Sequence, residues 1–150
     1  MPSLTAPSPF GPLCIVQEGD ALTALRWQRA EAETPTPLLE EAARQLDAYF
    51  AKTRHDFDLP VQPAGSAFET DVWAAMARIP YGQWRSYGAL AEEVRGMPQA
   101  VGAACGSNPL PIFIPCHRVL AAEGRMGGYS GKGGLATKQA LLVLEGALLV

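Results

Sequence analysis

Three prolines within seven residues, Pro109, Pro111 and Pro115, close around the apolar run Ile112-Phe113-Ile114. Each removes a backbone donor and fixes its own φ, so neither a helix nor a central strand can pass through this stretch. An apolar segment denied both regular forms is expected to be irregular and buried. It leads into Pro115-Cys116-His117-Arg118-Val119, where the chain places a thiol, an imidazole and a guanidinium side by side. From Arg118 through Leu120 the residues read as an extended run.

The rest of the chain is organised around that segment. With 150 residues, one domain or two small lobes are expected. The first dozen residues, with Pro2, Pro7, Pro9 and Pro12, read as a flexible leader. Leu13 to Val16 and Ala21 to Trp27 flank Glu18-Gly19-Asp20 and read as a hairpin. A proline-broken loop to Pro37 follows. Leu38, Ala42, Leu46, Tyr49 and Phe50 then recur at helical spacing, up to about Lys52. His55 to Pro63 is an extended linker, which makes 1–63 an N-terminal α/β lobe and 64–150 a second domain.

That second domain reads as mainly helical. A helix is expected over Thr70 to Ile79, ended by Pro80-Tyr81-Gly82. Ser86 offers a cap for a helix from Tyr87 to Val94. Pro98 suits the first position of another, running from Gln99 to about Cys105. Two short helices across a glycine-containing turn outline a helix-turn-helix. The second is built of small residues, which serves either close packing or close approach of its backbone to a ligand. Residues 124–134 hold six glycines and read as a loop able to lie against a ligand. A last helix is expected from Thr137 to Leu148. The fold class is therefore α/β, a hairpin-plus-helix lobe followed by a helical domain.

Several functions are excluded at this level. Cys14, Cys105 and Cys116 cannot build a disulfide framework, and their number and spacing fit a reducing, cytoplasmic compartment. No apolar run is long enough for a membrane span. No Cys/His spacing resembles a metal site, and neither a phosphate loop nor a dinucleotide fingerprint occurs, so no metal and no cofactor are expected. Residues 1–63 carry five Lys/Arg against nine Asp/Glu, and 64–150 carry seven against six. A polyanion would have to be met by the second part, through local geometry.

A thiol is a useful nucleophile only when ionised, which a nearby base promotes. On an extended backbone adjacent side chains diverge, so Cys116 and His117 need a bridging water or a local turn to cooperate. His117 would in turn want a carboxylate. Glu145, alone among Leu141, Leu142, Val143 and Leu144, is either that partner or a solvated residue near a helix end. Cys14 and Cys105 read as small buried hydrophobes.

The segment Asn108-Pro109-Leu110-Pro111-Ile112-Phe113-Ile114-Pro115-Cys116-His117-Arg118-Val119 resembles the signature of the O6-alkylguanine-DNA alkyltransferases. The likeness runs, in order, from Phe57-Asp58-Leu59-Pro60 through Val72-Trp73, Pro80-Tyr81-Gly82, Ser86-Tyr87, Ala100-Val101-Gly102 and Gly128-Tyr129-Ser130-Gly131 to Leu141-Leu142 and Glu145-Gly146. The resemblance implies a single-use repair protein that moves the alkyl group of O6-alkylguanine, with O4-alkylthymine a further substrate, irreversibly to Cys116. It implies a water-linked relay through His117 and Glu145, with Asn108 bracing the active-site turn. Tyr87, Tyr129, Ser130 and the backbone of Val119 would meet the extruded base. Ser86, Gln99, Ala100 and Ala103 would meet duplex DNA through the minor groove, and the protein would act as a monomer. Gln99 departs from the family, which has an arginine there to enter the base stack.

Two other classes compete with this reading. One is a lesion-binding alkyltransferase-like protein that recruits other repair factors, in which the nucleophilic cysteine is replaced; the other is an unrelated Cys-His hydrolase.

Overall fold

In a computed structural model, which describes residues 1–129 and 131–148, the chain divides into two compact units, Met1–Ala64 and Gly65–Val150. The first unit is a three-stranded antiparallel meander, β1 (Ser3–Ala6), β2 (Leu13–Glu18) and β3 (Ala21–Arg26), with helix α1 (Pro37–Phe50). The hairpin forms as expected, but the leader does not stay flexible. Its prolines Pro2 and Pro7 lie just outside Ser3–Ala6, so β1 loses no ladder donor and pairs Ser3 with Val16 and Ala6 with Leu13. On its other edge, Ser3 N donates to Thr34 Oγ1 at 2.6 Å and Ser3 O accepts from Thr34 N at 2.8 Å. That closes an edge which would otherwise be open to pairing.

Helix α1 begins one residue before the apolar pattern does. Thr36 Oγ1 accepts from Leu39 N at 3.0 Å and Pro37 occupies the first turn. Leu39 rather than Leu38 points inward, with Ala42, Leu46 and Tyr49. Each fully buried leucine contributes about 1.5–3 kcal/mol.

In the second unit α2 (Ala67–Ala77), α3 (Tyr87–Val94) and α4 (Pro98–Gly106) pack on one another. Helix α2 starts three residues earlier than the apolar spacing indicated, because Ser66 and Glu69 form a reciprocal capping box. Val72, Trp73 and Met76 are buried, and Trp73 Nε1 donates to Ala104 O of α4 at 2.8 Å. Helix α3 has the expected bounds, its first turn capped by Ser86.

Segment 108–115 is irregular and largely buried, as its prolines dictate. Arg118, expected in an extended run, belongs instead to a 3₁₀ turn, Cys116–Arg118, and only Val119–Leu120 is strand (β5). This strand pairs in parallel with β4 (Arg85–Ser86), placing Arg85 opposite Val119. The last helix, α5, spans Leu135–Leu144 rather than Thr137 to Leu148, with Glu145 as its C-cap. No helix among the described residues is long and apolar enough to cross a membrane.

Candidate active site

The pairing of β4 with β5 joins the start of α3 to the residues just after Cys116. It thereby brings Tyr87 to the same cleft as the thiol. That cleft, about 610 Å³, includes Tyr87, Gln99, Gly102, Cys105, Cys116 and Tyr129 in its lining. Helix α4 forms one wall and serves both purposes that its small residues allow. Val101, Ala104 and Cys105 pack inward, while Gln99, Ala100 and Ala103 are exposed. A Cβ added at Gly102 or Gly106 would meet nothing within 4 Å, so this wall can be approached closely.

The turn carrying Cys116 is held from several sides. Ile114 N donates to Leu110 O and Cys116 N to Ile114 O, both at 2.8 Å. Asn108 Nδ2 donates to Ile114 O at 2.9 Å and its Oδ1 accepts from Leu110 N at 3.0 Å. Ile112 sits at φ 74°, unfavourable for a β-branched residue by about 1–3 kcal/mol, and this bracing holds it there. Burial pushes the Cys116 thiol up, while a hydrogen bond from Asn108 and the Lys138 cation act the other way.

Behind the thiol lies a buried charged cluster. Glu145 Oε2 is 2.7 Å from His117 Nε2, and both side chains are inaccessible to solvent. Of the two sequence readings of Glu145, the buried partner is the observed one. Sequence reasoning did not assign its other partner. Arg118 grips the same carboxylate, Nε to Oε1 at 2.8 Å and a terminal nitrogen to Oε2 at 3.0 Å, and donates to Ile79 O at 2.6 Å. Its guanidinium also lies 5.8 Å from the Tyr81 ring centroid.

Although burial raises the Glu145 pKa, His117 and Arg118 together bring it down to about 2. Burial holds the His117 pKa below its ordinary value, although Glu145 partly offsets this. A carboxylate accepts only, so His117 Nε2 carries the ring proton and donates it. The other nitrogen, Nδ1, is then an unprotonated acceptor, buried and without a hydrogen-bond partner among the described residues. The cluster therefore presents a neutral base with a fixed tautomer. Cys116 and His117 lie in a 3₁₀ turn rather than on an extended backbone.

Lys138, also missed, is fully buried on α5 and donates to the carbonyls of Met126 and Gly128. Burial lowers its pKa to about 8. It ties down the glycine-rich loop, in which Gly127 has φ +65° and would place a Cβ 2.9 Å from the Tyr87 ring. Burial raises the Tyr87 hydroxyl to about 12 and the Tyr129 hydroxyl well above its usual range, so both are neutral donors.

Three further expected residues remain to be placed. Ser86 spends its hydroxyl capping α3, accepting from Ala89 N at 3.0 Å. Val119 is buried in β5, and Ser130 lies outside the described residues. Among the described residues no group of three or more His, Cys, Asp or Glu is arranged to hold a metal.

Comparison with known proteins covers both units. Residues 4–63 match the 6-O-methylguanine DNA methyltransferase, ribonuclease-like domain, and residues 67–147 match the DNA binding domain of the same family. A Mycobacterium tuberculosis protein named methylated-DNA–protein-cysteine methyltransferase is 43% identical over 150 residues, covering 94% of this chain and 90% of its own length. A constitutive Bacillus subtilis protein of that name is 43% identical over 141 residues, covering 85% of each chain. The crystal structure of Mycobacterium tuberculosis OGT in complex with DNA superposes with a TM-score of 0.87 at 42% identity, covering 98% of this chain and 94% of that one. Two domain models matched in chain order, and identity above 40% across nearly the full length, place this chain in the 6-O-methylguanine DNA methyltransferase family.

Proposed function

We propose that the protein repairs DNA by transferring the alkyl group of O6-alkylguanine to Cys116 once and irreversibly. The observation that carries this reading is a buried thiol lining a cleft beside the exposed face of α4, followed in the chain by a buried imidazole hydrogen-bonded to a carboxylate. The alkyl carbon of the lesion lies within the base stack, so the nucleotide must leave the duplex, at about a few kcal/mol. The Cys116 sulfur attacks that carbon as its bond to O6 breaks, and the thiol proton passes towards His117 Nδ1. The guanine oxyanion is met by hydroxyl donors at the cleft, for which the neutral Tyr87 and Tyr129 in its lining are the candidates. A thioether results, with no hydrolytic route back to the thiol.

Asn108 positions the thiol, and Arg118 keeps Glu145 ionised so that His117 holds one tautomer. Gln99, Ala100 and Ala103 present the exposed face of α4 to the minor groove, where small residues permit close approach. The three cysteines are buried free thiols, which suits a reducing cytoplasm.

Intact-protein mass spectrometry after incubation with duplex DNA containing O6-methylguanine tests the reading. A gain of one methylene, mapped to Cys116 and abolished in Cys116→Ser, is expected. Lesion binding without an adduct would leave the non-transferring lesion binder, and turnover without an adduct a hydrolase.

A further inference from the structure

The turn between α3 and α4 carries an apolar side chain that packing does not explain. Met97 is 65% exposed, although it lies between two ordered helices. It occupies the N-cap of α4, where Ser, Thr, Asp or Asn would bond the free backbone donors, and its side chain makes no capping bond. Neither burial nor capping therefore accounts for a methionine here.

The backbone beneath it is rigid. Arg95 takes the left-handed conformation at φ 58°. Gly96 N donates to Ala91 O at 2.9 Å, and a Cβ at Gly96 would fall 2.6 Å from the Phe68 ring, so the turn is seated against α2. Pro98 fixes the next φ, and Val101 N returns to Met97 O at 3.0 Å. Pro98 and Gln99 then line the cleft that reaches Cys116. Met97 is thus a flexible apolar tip on a fixed post at the mouth of the reactive cleft, with exposed Arg95 beside it for a phosphate.

From this placement we infer that Met97 is a wedge that enters the base stack from the minor groove and holds open the step vacated by the extruded nucleotide. Proteins that bend DNA from this groove insert apolar side chains of this type between base steps. The unbranched, polarizable thioether adapts readily to an irregular gap. Gln99, two residues on, then hydrogen-bonds the orphaned base opposite. This inference rests on the alkyl-transfer reading above.

The test compares single-turnover transfer from O6-methylguanine in a duplex with transfer from free O6-benzylguanine, which needs no extrusion. In Met97→Ala the duplex rate is expected to fall by about tenfold, equivalent to about 1.4 kcal/mol, with the free-base rate unchanged. Met97→Leu should keep most of the duplex rate. A 2-aminopurine beside the lesion should brighten less on binding the alanine variant, because the step unstacks less. A duplex rate within about twofold of the unsubstituted protein, or an equal fall in both rates, overturns the wedge. Alanine caps a helix no better than methionine, so a stability change does not confound the comparison. Failure of the unsubstituted protein to take up methyl from the duplex would instead sink the alkyl-transfer reading.

Discussion

Replacing Glu145 by glutamine keeps the shape of the side chain and removes its charge, which isolates what that charge does. In the folded protein the carboxyl titrates at about 2 against an ordinary 4.5. At about 1.36 kcal/mol per unit, this difference contributes about 3 kcal/mol of stability. Because the folded pKa is the lower one, the contribution is fully present above pH 4.5 and is lost as pH falls towards 2. The side chain has no solvent exposure, so water does not screen the interaction appreciably. Glu145→Gln also leaves the Arg118 guanidinium buried without its counter-charge, and stranding one member of such a pair typically costs about 3–5 kcal/mol. Urea unfolding at neutral pH should therefore show a loss of about 3 kcal/mol at constant m-value. Between pH 4.5 and 2 the variant should be less sensitive to acid than the unsubstituted protein. Transfer from O6-benzylguanine should slow by about a hundredfold, since His117 loses both its orienter and the counter-charge for its protonated form. Binding to lesion DNA should persist. A stability loss under about 1 kcal/mol, with the original acid profile and an unchanged transfer rate, would refute the charged cluster as the support of the site.

Other expectations follow from the same cluster and from α4. Burial lowers the His117 pKa below 6.5, so the unfolded chain binds the extra proton first, and stability should begin to fall once pH drops below about 6.5; a pH series of urea midpoints for the unsubstituted protein and His117→Gln checks it, the variant lacking that early decline. Asn108→Ala frees Ile114 O and Leu110 N and removes a hydrogen bond to the thiol. It should cost about 1–3 kcal/mol of stability and raise the Cys116 pKa, as followed by thiol alkylation against pH. Gln99→Arg adds a planar cation at the cleft mouth; it should raise the duplex transfer rate several-fold while the free-base rate holds, and equal duplex rates would remove position 99 from extrusion.

Local signals of strong physical meaning were legible in the chain itself. Three closely spaced prolines dictated an irregular segment at 108–115, and Ser86 with Pro98 marked the starts of α3 and α4 to within a residue. The capping box Ser66-Ala67-Phe68-Glu69, also written in the chain, went unread, so α2 was expected three residues too late. The Cys-His pair pointed to thiol chemistry only through the resemblance of the whole 108–119 segment to a known family, since a lone Cys is usually a small buried hydrophobe. What sequence alone could not decide was the company each group keeps. A three-residue turn has no periodicity, so Cys116–Arg118 could not be told from a strand. β1 depends on a partner strand, and its flanking prolines looked like disorder until that partner was in place. Glu145 reaches His117 and Arg118 across 28 and 27 residues, and only the packing of α5 determines that one carboxylate serves both. Lys138 is likewise an ordinary helical lysine until burial makes two loop carbonyls its only acceptors among the described residues. Local backbone chemistry acts over a few residues and is written in order along the chain. Pairing of buried charges is a property of which elements pack together, and it exists only once they have.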